Sequence, residues 1–486
     1  LSERTVIFRR KVYQAGFPAS LDCYRLTEIG DVVDKMVAAK ASSVVVVDDD
    51  LKPVGIFTER DITRRVVFKA DPSQAVSDVM TTPVQSIPEG EYLYFAIARM
   101  RRMHLRHMPV VDDDGRLLGM LSLDQAVARL TSGLMDEIDI LTREGDLDGL
   151  SQIKAAQVDL AWDMLNDKTP TEDIQALLTH INNDLYRRVV DINLSAMKDE
   201  GLGDPPVDFS VIVMGSGGRG ENYIYPDQDN GFILDDYPDD RHTEIDGWFI
   251  QLAERMTADM NRVGLPYCKG FVMATNPLWR KTKSQWKAQT EMWSRKRNTT
   301  SLRLCDIFFD FRTVWGNDQA ARELRSFVTD LARNNQMFLR EMFDDNKDQG
   351  TALGWFGRFI TEQDNSDHIG EINLKITGTL PLVEAMRLLS LREGIEEIST
   401  LERMARLHDK KILGDEEYDQ LKAAFLMISE LMLRSQLKAF REGRPVSNYL
   451  HPKTLLKREK DDLTRSFKAI HRFQQRLHSE FTGEIF

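Results

Sequence analysis

Cysteine is scarce: the chain of 486 residues has three, Cys23, Cys268 and Cys305, scattered without metal-ligand spacing. That argues against a disulfide framework or a cysteine-bound zinc and points to a reduced compartment. No apolar run approaches the roughly twenty residues of a membrane span, and no signal peptide opens the sequence. The expected location is the cytoplasm, with no membrane partner. A basic excess is also lacking. The formal net charge of −13 argues against a general nucleic-acid-binding surface. The first residue is Leu1 rather than methionine, which suggests a fragment whose upstream part carried more. The length exceeds one ordinary core, so about two to four domains are expected.

The most informative stretch is residues 207–234, VDFSVIVMGSGGRGENYIYPDQDNGFIL. An apolar run predicts a strand that ends in Gly215-Ser216, and a second predicted strand carries Asp227 and Asp229. Two residues apart on a strand, both carboxylates face one side. Together they could hold Mg²⁺ (or Mn²⁺), which binds one or two carboxylates plus substrate phosphates. Backbone N–H groups of the Gly-rich turn, at the start of a helix, can cradle a triphosphate. A two-metal phosphoryl-transfer site usually has a further ligand. Asp310 in the strand-like run LRLCDIFFDFRTVWG is preferred. Asp306 has the same parity, but Asp310 is followed by Arg312, a nearby cation for phosphate.

Gly215-Ser216 followed by Asp227-Gln228-Asp229 resembles the signature of the polymerase-β-like nucleotidyltransferases. GSGGRGENYIYPDQDN resembles more closely the nucleotidyltransferase domain, related to the N-terminal domain of PII-protein uridylyltransferases, that bacteria often join to CBS domains. The likeness extends to WRKTKSQWK, DFRTVWGN and INLKITGTLPLVEAMRLLSLREGIEEIST. It implies that Gly215 and Ser216 meet the triphosphate, with Arg219 and Arg312 as further phosphate contacts. It also implies that Asp227 and Asp229 bind metal and that Asp310 completes the carboxylate set and activates the acceptor. Gly217 departs from the acidic residue common at that position. Lys269 and the Trp279-Arg280 pair are weaker cleft candidates, more simply read as a surface lysine and a core tryptophan. Lys375 in INLKITGTLPLV is a weaker candidate for the nucleotide or acceptor site.

Residues 18–131 contain two similar units of roughly sixty residues, a repeat that has to be found before any local reading. SSVVVVDDDLKPVGIFTERDITRRV in the first answers HMPVVDDDGRLLGMLSLDQAVARL in the second. This resembles a tandem CBS (Bateman) module, which implies adenine-nucleotide binding (AMP, ADP or ATP) and a homodimer through the CBS domains. Thr58 and Asp61 of GIFTERD match that family's ribose and phosphate motif. The second unit offers Ser122, but Gln125 stands where an acidic residue is expected, with Asp124 one position early. Thr58 and Asp61 are also good helix-cap residues. His104, His107, Arg101, Arg102 and Arg106 form a basic patch.

The expected architecture is multidomain, α/β and α. It comprises a leader (1–17), the CBS pair (18–132), a helical connector (133–200), the nucleotidyltransferase α/β domain (201–320) and a C-terminal helical bundle (321–486). The expected function is Mg²⁺-dependent transfer of NMP from an NTP donor to a protein or small-molecule hydroxyl, regulated by nucleotide at the CBS pair. A non-catalytic, nucleotide-sensing scaffold is the alternative.

Overall fold

The computed structural model describes residues 11–67, 70–103, 105–123, 126, 147–296, 299–346, 350–354 and 357–482. It divides into two units, Leu1–Glu144 and Gly145–Phe486.

The first unit repeats one motif. Strand β1 (Asp22–Tyr24), helix α1 (Ile29–Ala39), β2 (Ser43–Val47) and β3 (Pro53–Thr58) are followed by β4 (Ile87–Pro88), α2 (Leu93–Arg102), β5 (His107–Val111) and β6 (Leu117–Ser122). Each half is a three-stranded sheet, ordered β1-β2-β3 and β4-β5-β6. In each, the first pair is parallel and the second antiparallel. The likeness reaches single atoms. Ser43 pairs with Thr58 and His107 with Ser122, and both hairpins shift register at their last valine. In one turn Asp48 Oδ1 accepts from the N–H groups of Asp50 and Lys52, and in the other Asp112 Oδ1 accepts from Asp114 and Arg116. Such aspartates fold the chain back on itself, which explains why VVDDD recurs.

The unbroken run SVVVV of β2 is buried on both faces. Val44 and Val46 pack with Ile29, Val32 and Met36 of α1, whose spacing puts them on one helical stripe. Val45 and Val47 pack instead against Met120 of β6. A strand covered on both sides has no polar face to show in its sequence.

The second unit opens with helices α3 (Leu147–Asn166) and α4 (Thr171–Asp199). Then come β7 (Phe209–Val213), α5 (Gly215–Arg219), β8 (Asn230–Leu234), α6 (His242–Arg262), β9 (Arg280–Thr282), α7 (Lys283–Lys296), α8 (Thr299–Phe308) and β10 (Arg312–Gly316). The sheet order is β10-β7-β8-β9, antiparallel except for the β8-β9 pair. The remainder is mainly helical: α9 (Gln319–Arg333), α10 (Gln336–Asn346), α11 (Leu380–Glu393), α12 (Thr400–Asp409), α13 (Asp415–Arg441) and α14 (Lys457–Thr482). A short ladder, β11 (Ile372–Asn373) with β12 (Tyr449–Leu450), sits among them. One apolar core runs from Ile212 and Ile233 of the sheet through Trp279, Trp286 and Trp293 to Phe467 and Leu477 of α14. Among the described residues, no helix is long and apolar enough to cross a membrane.

Two local expectations are corrected. The strand read across LRLCDIFFDFRTVWG begins only at Arg312, because Leu302, Cys305, Phe308 and Phe309 form a buried helical stripe on and just after α8. The second strand of the Gly-Ser motif begins at Asn230, so Asp227 and Asp229 lie in the loop entering it.

Candidate active site

The Gly-Ser turn connects β7 to the single-turn helix α5. Gly215 has φ +58, and a side chain there would put Cβ 3.0 Å from Asp229 Oδ2. The glycine therefore serves the turn and also clears space for the carboxylate. Ser216 Oγ donates to Asn222 Oδ1 at 3.3 Å. The first N–H groups of such a helix lack intrahelical acceptors and are available to an anion.

Asp227 and Asp229 flank a tight turn at Gln228, where Asp229 N donates to Asp227 O at 3.0 Å. Gln228 and Asn230 are fully buried, whereas Asp227 is exposed and Asp229 half-buried. Polar anchors fix the segment. Gln228 Nε2 donates to the carbonyls of Thr257 and Leu265, Asn230 Nδ2 donates to Tyr186 OH, and Met214 N donates to Asp229 O at 2.9 Å. Burial pushes the Asp229 carboxyl up to about 6; the Cys268 thiol that donates to it pulls the other way, and the charge of Asp227 adds to the rise. Lys375 and Arg219 oppose that rise through their fields. A carboxylate covered beside a like charge, with a glycine cleared in front of it, fits a divalent cation.

The other candidates divide. Asp310 is fully buried in the turn after α8 and is not brought to the pair. Arg387 Nη2 lies 2.6 Å and Arg219 Nη1 2.8 Å from its Oδ2, and Arg403 Nη1 lies 2.7 Å from its Oδ1. Burial opposes ionisation, but these three guanidinium groups outweigh it and hold the carboxyl well below the usual carboxylate range. Arg325 ties down the carbonyls of Phe309 and Phe311 on either side. Among the described residues, no cluster of three or more histidine, cysteine or acidic side chains could hold a metal. Arg219 is likewise committed, since its Nε donates to Glu221 at 2.6 Å. Arg312, exposed at the start of β10, makes no ion pair or side-chain hydrogen bond among the described residues, although the charges of Glu402 and Glu221 act on it. Lys269 is exposed, Trp279 is core, and Arg280 is bound to Asp246 at 2.7 Å.

Helix α4, read from the sequence only as an apolar connector, holds the site from behind. Thr179 Oγ1 accepts from Asn222 N, Gln175 Nε2 donates to Glu221 O, and Tyr186 receives Asn230. Lys154 of α3 donates to Asn182 Oδ1 and to Ile224 O, both at 2.9 Å, and burial pushes its ammonium down to about 7. Polar Gln175, Thr179 and Asn182 at i, i+4 and i+7 inside an apolar stripe were the available signal.

In the first unit, Thr58 caps the turn Glu59–Asp61, and a capping box joins it to Asp61. Thr58 Oγ1 donates to Asp61 Oδ2 at 2.7 Å, and Thr81 Oγ1 donates to Oδ1 at 3.1 Å. Asp61 is 6% exposed. Ser122 ends β6 opposite His107, whose Nε2 lies 3.1 Å from Ser42 Oγ and so links the halves. His104, Asp124 and Gln125 lie outside the described residues.

Comparison with known proteins gives matches along most of the chain. Residues 155–300 match the family described as Putative nucleotidyltransferase DUF294, and residues 336–481 match the Putative nucleotidyltransferase substrate binding domain. Residues 24–67 and 76–131 match the CBS domain. Among curated proteins the chain is 33% identical over 95 residues to an uncharacterized protein of Methanopyrus kandleri, covering 19% of this chain and 48% of that protein. It is 31% identical over 144 residues to the inosine-5'-monophosphate dehydrogenase of Aquifex aeolicus, covering 28% of this chain and 29% of that one. The chain thus spans about half or less of the length of these relatives. Among solved structures, a CBS domain protein of Pyrobaculum aerophilum complexed with AMP is 21% identical, with 26% of this chain and 98% of that one covered at a TM-score of 0.24. A CBS-domain protein of Agrobacterium tumefaciens is 29% identical, with 24% and 95% covered at a TM-score of 0.22.

Proposed function

We propose, for a chain that carries a CBS pair, a DUF294 nucleotidyltransferase domain and the substrate-binding domain that accompanies it, that residues 209–234 transfer a nucleotidyl group from an NTP to a hydroxyl. The observation that carries this reading is the Asp229 carboxylate against Gly215, with the charge of Asp227 acting on it. These two carboxylates would hold Mg²⁺ (or Mn²⁺), which when bound neutralises the leaving phosphates and acidifies the acceptor hydroxyl. The N–H groups of the turn from Gly215 and Ser216 face the triphosphate, and Arg312 is a further phosphate contact. Asp310 and Arg219 act as support, because their charges are spent on each other. The acceptor, a protein or a small molecule, is met by the residues around Lys375 in the helical region. Adenine nucleotide binds the CBS pair near Thr58, Asp61 and Ser122 and biases the transfer.

Incubation with each labelled NTP and Mg²⁺ in cell extract tests the proposal. The wild-type protein is expected to produce labelled acceptor and pyrophosphate, and Asp229→Asn is expected to lower transfer at least about a hundredfold with the fold intact. Full transfer by Asp229→Asn refutes it. One observation favours a second reading, a nucleotide-sensing scaffold. Asp310 is held by arginines, which leaves two carboxylates rather than three. Lack of magnesium-dependent NTP binding at that cleft, with AMP or ATP still bound near Asp61, supports that reading.

A further inference from the structure

Phe271 is held at φ +56 with its ring in solvent. Among the described non-glycine residues, that backbone region is shared by Lys40, Leu51, Lys168 and Lys411. The three lysines follow helix ends and Leu51 sits in a hairpin turn, places where the left-handed conformation closes a local structure. Phe271 is the aromatic one. A bulky side chain is disfavoured there, and glycine would take the position without strain. The ring is also 69% exposed. Two unfavourable choices thus coincide at one residue, and neither is relieved by packing.

Its neighbours fix the backbone that carries the ring. Phe271 N donates to Cys268 O at 3.0 Å and closes a β-turn over Lys269 and Gly270. Asn276 Nδ2 donates to Phe271 O at 3.1 Å and holds the strained peptide. The loop is stitched to the carboxylate segment on both sides of Asp229. Gln228 N donates to Pro266 O, Asn230 N to Val272 O, and Ala274 N to Asn230 Oδ1, at 3.0, 3.0 and 2.9 Å. The Cys268 thiol touches the Asp229 carboxylate itself. A β-turn keeps its first and last Cα atoms within about 7 Å, so Phe271 is one tight turn away from the cysteine that meets Asp229.

We propose that Phe271 is the stacking platform for the base of the donor nucleoside triphosphate, presented in a strained conformation beside the site that holds its phosphates. The proposal rests on the transferase reading. An aromatic face accepts any base, so the residue contributes affinity for a nucleoside more than choice among the four.

Calorimetric titration of the full chain with Mg²⁺ and ATP, GTP, CTP or UTP, and in parallel with inorganic tripolyphosphate, tests it. Phe271→Gly suits the backbone. It is expected to weaken binding of each nucleoside triphosphate that the wild type binds by about tenfold, with tripolyphosphate affinity unchanged within about twofold. Phe271→Trp is expected to restore the wild-type values. Unchanged nucleoside triphosphate affinity in Phe271→Gly overturns the proposal and leaves the transferase reading standing. Equal losses for nucleotide and tripolyphosphate also overturn it, since the loop would then act on the phosphate site. Absence of both ligands from the wild-type protein removes the transferase reading and this proposal together.

Discussion

Asp229 is a carboxylate that the fold tolerates rather than favours. Its folded value of about 6 lies above the ordinary 3.8, so the native chain holds that proton more tightly than the unfolded one. The associated stability is present below pH 4 and is lost as pH rises through 6. Asp229→Asn removes the charge, so the metal-free variant is expected to be more stable than the wild type at pH 7.5, by on the order of 2 kcal/mol, and equal to it near pH 4. Urea midpoints at the two pH values check this; a variant less stable at pH 7.5 would assign Asp229 a structural role instead. The nearness of Asp227 to Asp229 follows from their spacing alone, whereas the strand expected to carry them begins only at Asn230. The commitment of Asp310 was not legible, because its partners Arg387 and Arg403 come from far along the chain and no local pattern announces them.

At the scale of elements, the sequence separated strand from helix where a short β-branched apolar run was bounded by turn residues, as in SVVVV and FSVIV. It failed at α8, where Leu302, Cys305 and Phe308 step by three through a run also rich in β-formers. It understated α4, because a buried polar stripe looks like a solvated one until its partners are known. The ion cluster joins several of these elements: α5 supplies Arg219, the turn after α8 supplies Asp310, and α11 and α12 supply Arg387 and Arg403. Removing one partner leaves uncompensated buried charge, which typically costs about 3 to 5 kcal/mol. Asp310→Asn is therefore expected to destabilise the second unit by roughly that amount in urea unfolding. A loss of transfer with stability unchanged would return Asp310 to the role of metal ligand or base.

For the whole molecule, the repeat and the Gly-Ser motif made the order of parts legible, while the acceptor left no mark in the sequence. Two units with separate cores, built around Val44 and Phe57 in one and around Trp286 and Phe308 in the other, are expected to unfold in two transitions. A ligand stabilises what it binds by mass action. Saturating AMP is expected to raise one transition by several degrees, and Mg²⁺ with a nucleoside triphosphate the other. Differential scanning calorimetry of the full chain reads both, and a lone transition shifted equally by either ligand would contradict the assignment of one nucleotide to each unit.

Glu221 leads somewhere else. Its Oε1 accepts from the backbone of Thr400 at 2.7 Å, at the first residue of α12, where Ser399 makes no side-chain cap. The start of a helix in the segment 336–481 is thus capped by a residue of the segment 155–300, and a negative group is favourable there. Arg387 and Arg403 of the later segment depend on Asp310, which lies between the two. A copy of residues 336–481 moved alone into another gene would arrive with an uncapped helix and two buried guanidinium groups without a counter-ion. The two matched segments are halves of one folding unit.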